Sequence, residues 1–256
     1  MTFTKNLFYG GVGMKCPDCG REGLKVLMYD GKVYCPTCKF EKGISDYFLL
    51  LPPDPKAKKF VFTPQRSFGD ENNYLIQVGI HTVGKVTLFP SGLEVGVILE
   101  ISEGGVAKQV VTFLRGVFGE GMKFKRVSLR DCPEWDLKCP VCGEKSFRKV
   151  EGEDVVRCEG CKCFEMEVGN YLLSTLVTAG YMVDTKRFVD SFKIYVKRSN
   201  WFSVPIAQFE LRRRGRMDIT FTLRPVNGNH PVEFGKVKTF IDSLEIGPKV
   251  VVLNPQ

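Results

Sequence analysis

The chain has 256 residues, 43% of them hydrophobic, and a formal charge of +8. That length allows two ordinary domains or one domain built twice, and that apolar fraction excludes wholesale disorder. No apolar run reaches the ~20 residues of a membrane-spanning helix, and residues 1–14 lack the apolar core of a signal peptide, so a cytoplasmic, reducing compartment is expected.

The first chemistry-bearing element is a cysteine pair, Cys16-Pro17-Asp18-Cys19-Gly20, answered by Cys35 and Cys38. Two thiols on one tight turn can both reach one ion, and four soft ligands with no vacancy describe a structural zinc site. Gly20 tolerates the positive φ that such a knuckle needs. The same arrangement returns at Cys139, Cys142, Cys158 and Cys161, each 123 residues on, with 15 residues between the pairs in both copies. Two structural zinc ions are therefore expected, one in each half of a duplicated chain, with modules over 1–131 and 132–256.

Between the two cysteine sites, Leu93, Val95, Val97, Leu99 and Ile101 alternate against Glu94 and Glu100, the period of a half-buried strand. Pro90-Ser91-Gly92 and Gly84 read as turns. Val110, Phe113, Leu114 and Val117 form a helical stripe. In the second half, Phe188, Phe192, Ile194 and Val196 alternate against Lys193, Tyr195 and Lys197, and Met217 to Leu223 reads as the clearest strand. Asn227-Gly228-Asn229 reads as a turn. A helix then begins at Pro231, carries Val237, Phe240, Ile241 and Leu244 on one side, and stops at Gly247-Pro248. Thr112-Phe113-Leu114 matches Thr239-Phe240-Ile241 at a step of 127, and Lys58-Lys59-Phe60-Val61 matches Lys186-Arg187-Phe188-Val189 at 128. The latter step implies about five residues inserted between cysteine module and body in the second copy. The fold class is α+β: two tandem copies of a four-cysteine zinc ribbon followed by an antiparallel β-sheet with one covering helix.

The first ribbon resembles those of bacterial and phage primases. Its second half runs Val26-Leu27-Met28-Tyr29-Asp30-Gly31-Lys32-Val33-Tyr34-Cys35, then Gly43-Ile44-Ser45-Asp46-Tyr47-Phe48-Leu49. Similar ribbons occur in transcription and translation factors. The resemblance covers about 35 residues and implies nucleic-acid business, without the acidic catalytic cluster of a primase. The repeated strands-plus-helix unit also resembles, in topology alone, Pur-type and Whirly-type single-strand binders.

Charge separates the copies. From Lys58 to Ser102 four basic residues balance four acidic ones, whereas Lys186 to Arg224 holds ten basic and three acidic, a net of +7. Strand parity gathers Lys193, Tyr195, Lys197, Arg212, Arg214, Arg216 and Arg224 into a solvent-facing basic patch, with Trp201 nearby. Basic groups neutralise phosphates and aromatic faces stack on unpaired bases. The expected function is a zinc-dependent nucleic-acid-binding protein of replication, repair or transcription, its partner single-stranded DNA or RNA. The alternative is a protein–protein adaptor that docks on a polymerase, replication factor or ribosome through its ribbons and neutral first sheet.

No enzyme chemistry is expected. His81 and His230 lie far from the cysteine pairs, and Gly10-Gly11-Val12-Gly13 lacks a strand before it and a Lys-Ser/Thr after it. Cys132 and Cys163 are left over. They read as packing cysteines, with Cys163 replacing Cys161 as a ligand, or pairing with Cys132 in an oxidising setting, as alternatives.

Overall fold

The computed structural model describes residues 8–10, 15–27, 32–43, 46–47, 60–66, 71–91, 94–118, 122–130, 135–197, 204–214, 218–226, 231–244 and 251–252. The chain divides into two units, Met1–Leu129 and Arg130–Gln256. Both are mixed α+β and mostly sheet, and no helix among the described residues is long and apolar enough to cross a membrane.

The first unit opens with four short strands in the order β1-β2-β3-β4: β1 (Phe8–Gly10), β2 (Lys25–Leu27), β3 (Lys32–Tyr34) and β4 (Glu41–Gly43). A strand thus does run into the Gly10 cluster, contrary to expectation, although no Lys-Ser/Thr follows it. The body is β5 (Phe60–Pro64), β6 (Asn72–Val78), β7 (His81–Ser91) and β8 (Glu94–Ile101), each antiparallel to the next. Helix α1 (Gly104–Phe118) then carries the chain back, and β9 (Met122–Leu129) runs parallel to β8. The sheet is therefore mixed rather than antiparallel, because a strand reached through a helical crossover returns in the direction of the strand it left.

Val106, Val110, Leu114 and Phe118 form the buried stripe of α1. Phe113 packs on Phe60 and Phe62 with ring centroids 5.4 and 5.5 Å away. Tyr74, Ile76, Val86, Leu88, Val97 and Leu99 complete this core. Gly84 is not a turn. It sits within β7, where an added Cβ would lie 2.4 Å from the Glu100 carbonyl oxygen. The reversal comes earlier, at Gly79-Ile80, where Gly79 has φ +61°. A valine at 84 is expected to destabilise the first unit by ~3 kcal/mol or more, through overpacking against backbone that cannot yield. Thermal unfolding of Gly84→Val checks this.

The second unit repeats the plan. Strands β10 (Phe147–Lys149), β11 (Val155–Cys158) and β12 (Phe164–Glu167) pair antiparallel in sequence. A helix that the sequence reading omitted, α2 (Val168–Thr178), follows, so the described residues of the second copy hold two helices rather than the one expected. Its buried Val168, Leu172 and Leu176 recur at i, i+4 and i+8. The shift of 123 puts its start on residue 45 of the first copy, where Asp46 and Tyr47 are helical. The body is β13 (Met182–Arg187), β14 (Ser191–Lys197), β15 (Ala207–Arg214) and β16 (Asp218–Pro225), again successive and antiparallel. Then come α3 (Pro231–Asp242) and β17 (Val251–Val252), the latter parallel to β16. Strand order, helix position and the parallel fifth strand match the first body. Val110 and Leu114 of α1 and Val237 and Ile241 of α3 are buried at equivalent positions, 127 residues apart.

One sequence match does not survive. Phe60 opens β5, whereas Phe188 follows β13, past the end of the equivalent strand. The five-residue insertion inferred from that match is therefore absent. The turn signals at Gly92, Asn227-Gly228-Asn229 and Gly247-Pro248, and the residues Met217, Trp201, His230 and Cys132, lie outside the described residues.

Candidate metal centres and the basic sheet face

Each cysteine site is built from two knuckles with the same backbone frame. In the first copy the Cys16 amide donates to the Arg21 carbonyl and the Gly20 amide to the Cys16 carbonyl, both at 2.8 Å; Cys139, Glu144 and Gly143 repeat this at the same distances. Gly20 and Gly143 take φ of +69° and +80°. The second knuckles place a lysine in the left-handed region instead, Lys39 at +65° and Lys162 at +57°. A non-glycine residue there is uncommon, so its recurrence at a step of 123 marks one duplicated module.

The eight thiols converge as two groups of four, with sulfurs in each group within 4.8 Å of one another. Closest Sγ···Sγ separations are 3.4 Å for Cys16–Cys38, 3.8 Å for Cys19–Cys35, 3.5 Å for Cys139–Cys161 and 3.4 Å for Cys142–Cys158. Sulfurs at ~2.3 Å from a tetrahedral zinc are ~3.8 Å apart, so each group can hold one zinc ion. Backbone N–H donors, Cys38 first and Thr37 after it, draw the Cys35 thiol down to about 6. Burial pushes Cys139 up, as expected where a cation is needed to balance a buried thiolate.

The two modules differ around their cysteines. In the second, Trp135 is buried, donates from Nε1 to the Lys138 carbonyl at 2.8 Å, and packs against Phe147 and Phe164 at 5.1 and 5.4 Å. Tyr171 of α2 closes the cluster at 5.7 Å from Phe147. The first module buries Leu24, Val26, Val33, Phe40 and Tyr47. Cys163 lies beside the second site, within hydrogen-bonding reach of Cys161; burial, then that neighbour, pushes it up to about 12.

The basic patch is assembled by register. Rows across the second sheet read Asp184–Tyr195–Gln208–Arg224, then Lys186–Lys193–Glu210–Thr222, then Ser191–Arg212–Thr220. The opposite face carries Phe192, Ile194, Val196, Phe209, Leu211 and Leu223, all buried. Lys193, Tyr195, Lys197, Arg212 and Arg224 thus share one polar face. The backbone of Arg214 continues that parity, while Arg216 lies outside the described residues.

This face is less solvent-exposed than expected. The side chains of Lys193 and Lys197 are only 21% and 12% exposed, and they pair with Glu210 (3.6 Å) and Asp184. Arg212 reaches Glu210 at 2.7 Å, and Arg224 donates to Gln208 at 2.8 Å. Long side chains on a flat sheet fold over their cross-strand neighbours, which parity alone does not reveal. Burial opposes ionisation of Glu210, but the Arg212 hydrogen bond and the Lys193 charge outweigh it and hold the carboxyl below the usual range. Its contribution to stability is present above the ordinary glutamate range and fades as pH falls through that depressed value.

Three acids, Asp184, Asp190 and Glu210, still face five cations, Lys186, Lys193, Lys197, Arg212 and Arg224, an excess of two among these side chains. The same face of the equivalent strands β5–β8 sets Leu75, Lys85 and Glu100 in one row, Asn73, Thr87 and Ile98 in the next and Glu94 further along, one cation against two anions.

Sequence reasoning missed one residue here. Phe188 was placed with the apolar set, yet its ring lies 5.3 Å from the Lys193 ammonium on the polar side, and it is 55% exposed. Alternation does not carry across a turn, and Val189-Asp190 form one between β13 and β14. The short stretch between Arg187 and Ser191 was the available signal.

No family model, curated protein or solved structure matches this chain.

Proposed function

We propose that this is a zinc-dependent nucleic-acid-binding protein of replication, repair or transcription. Each cysteine group carries a structural zinc, as in a zinc ribbon, and the polar face of β13–β16 holds single-stranded DNA or RNA. The chain binds rather than catalyses. The observation that carries the reading is the excess of cations on that face set against the one cation and two anions on the same face of β5–β8 in the first copy. Duplication leaves one copy able to keep or gain a function that the other lacks. A surplus confined to one copy of one face points to an anionic partner rather than to general solubility.

Glu210 supplies a gain-of-function test. It offsets Lys193 and Arg212 at the centre of the face. Glu210→Gln removes one negative charge while keeping the shape. Affinity for an unpaired oligonucleotide at low salt is expected to rise, by about 1 kcal/mol or roughly fivefold. Unchanged or weaker binding by a folded variant would count against the face.

The second reading is the adaptor. It is favoured by the neutral first sheet and by Ile80, 90% exposed at the tip of the β6–β7 turn. Under that reading Ile80→Ser abolishes recovery of a replication or transcription partner while nucleic-acid binding is absent throughout; under the preferred reading oligonucleotide binding is present and indifferent to Ile80.

A further inference from the structure

Phe188 is the exposed aromatic residue on the polar face that the charge argument leaves unused. It stands just beyond β13, and its backbone amide donates to the Ser191 carbonyl at 2.8 Å, fixing it opposite the start of β14. Val189, next in the turn, is fully exposed. The ammonium of Lys193 lies 5.3 Å from the Phe188 ring centroid, and that of Lys186 lies 5.7 Å from the Tyr195 ring. Along the face the order is therefore Phe188, the Lys186–Lys193 pair, Tyr195, then Lys197. Aromatic and cationic groups alternate.

We infer that Phe188 is a second base-stacking platform, acting with Tyr195 to select unpaired nucleic acid. The inference rests on the nucleic-acid reading above and adds to it a residue that recognises the unpaired base. A base stacked on either ring takes its free face or displaces the ammonium that lies over it, and that ammonium then pairs with the phosphate of the same nucleotide. The positions opposite Ser191 and at Tyr195 are four residues apart on one strand, about 13 Å at ~3.3 Å per residue. Bases in a duplex stack at about 3.4 Å per step. Two rings so far apart do not fit consecutive stacked bases, but they fit an extended single strand whose bases splay onto separate platforms.

The test uses the full-length protein with zinc bound, and three probes: labelled oligothymidylate, labelled oligouridylate and a matched mixed-sequence DNA duplex. Phe188→Leu keeps an apolar side chain but removes the π face; Phe188→Trp restores one. Phe188→Leu is expected to weaken binding to the single strands by roughly fivefold to a hundredfold, with the slope of log affinity against log salt unchanged and duplex binding unaltered. Phe188→Trp is expected to bind as well as wild type or better. Single-strand affinity unchanged in Phe188→Leu overturns the platform while leaving the basic-face reading intact. Equal loss on single strands and duplex also overturns it, because the ring would then not select unpaired bases. Wild-type protein that binds none of the probes at low salt overturns the reading and the inference together.

Discussion

Stripping the metal is expected to unfold the first cysteine module and to leave the second partly ordered. Elemental analysis of protein made in metal-replete, reducing conditions should find two zinc ions per chain, one for each group of four thiols. Among its described residues the strands of the first module are three residues each, and Leu24, Val26, Val33, Phe40 and Tyr47 are buried beside the cysteines. A module of ~30 residues has too little core to fold without a metal, whereas a structural zinc contributes ~10–16 kcal/mol of apparent binding free energy at neutral pH. The second module has the Trp135, Phe147, Phe164 and Tyr171 cluster besides its four cysteines. Chelation should therefore collapse the amide protection of β2–β4 before it changes Trp135 emission. Cys35→Ser should lose one zinc and unfold only the first module. Acidification should act like the chelator, because the ligands must be deprotonated and protons compete with the metal for the thiolates. Loss of both metals from Cys35→Ser would contradict the independence of the two sites.

The second large effect is expected from Arg212, Arg214 and Arg216 changed together to Ala. Arg212 is more than half exposed on the polar face, and the backbone of Arg214 stands opposite Asp218 on the same parity. Each phosphate contact on a single strand steepens the dependence of log affinity on log salt by about 0.7. Three lost contacts should flatten that slope by about 2 and weaken binding at low salt by roughly two orders of magnitude. Lys85→Ala, on the balanced first sheet, should change neither quantity. Normal binding by the triple variant would make the Arg212–Arg216 hairpin an ordinary solvated loop and give the adaptor reading the lead.

Much of this architecture could be read from the residue order, for identifiable reasons. Thiol spacing transmits directly into geometry, because Cys-x-x-Cys leaves little freedom for where the sulfurs go. Period-two alternation placed β8, β14 and the Met217-to-Leu223 strand to within a few residues, and Pro231 marked the start of α3. The failures share a cause: they depend on contacts between residues distant in sequence. Gly84 reads as a turn until Glu100 is seen pressed against it across the ladder. Helix α2 was hidden because its buried face also contains Gly169, Asn170 and Ser174, which only tertiary packing admits to a core. The parallel fifth strands follow from crossover geometry, not from any local pattern. Parity brings Lys193, Tyr195, Lys197, Arg212 and Arg224 to one face, but ion pairing over Glu210 and Asp184 and the reversal of Phe188 arise across strands and turns.

The claim that organises this account is that the polar face of the second sheet binds unpaired nucleic acid through its charge. A titration of the intact zinc protein against a labelled single-stranded oligonucleotide, repeated from ~50 to ~200 mM salt, tests it most directly. The account predicts measurable affinity at low salt, a linear fall of log affinity with log salt at a slope of about −2 to −4, and weaker binding to a duplex of the same length. Absence of binding at the lowest salt, or an affinity indifferent to salt, would contradict it.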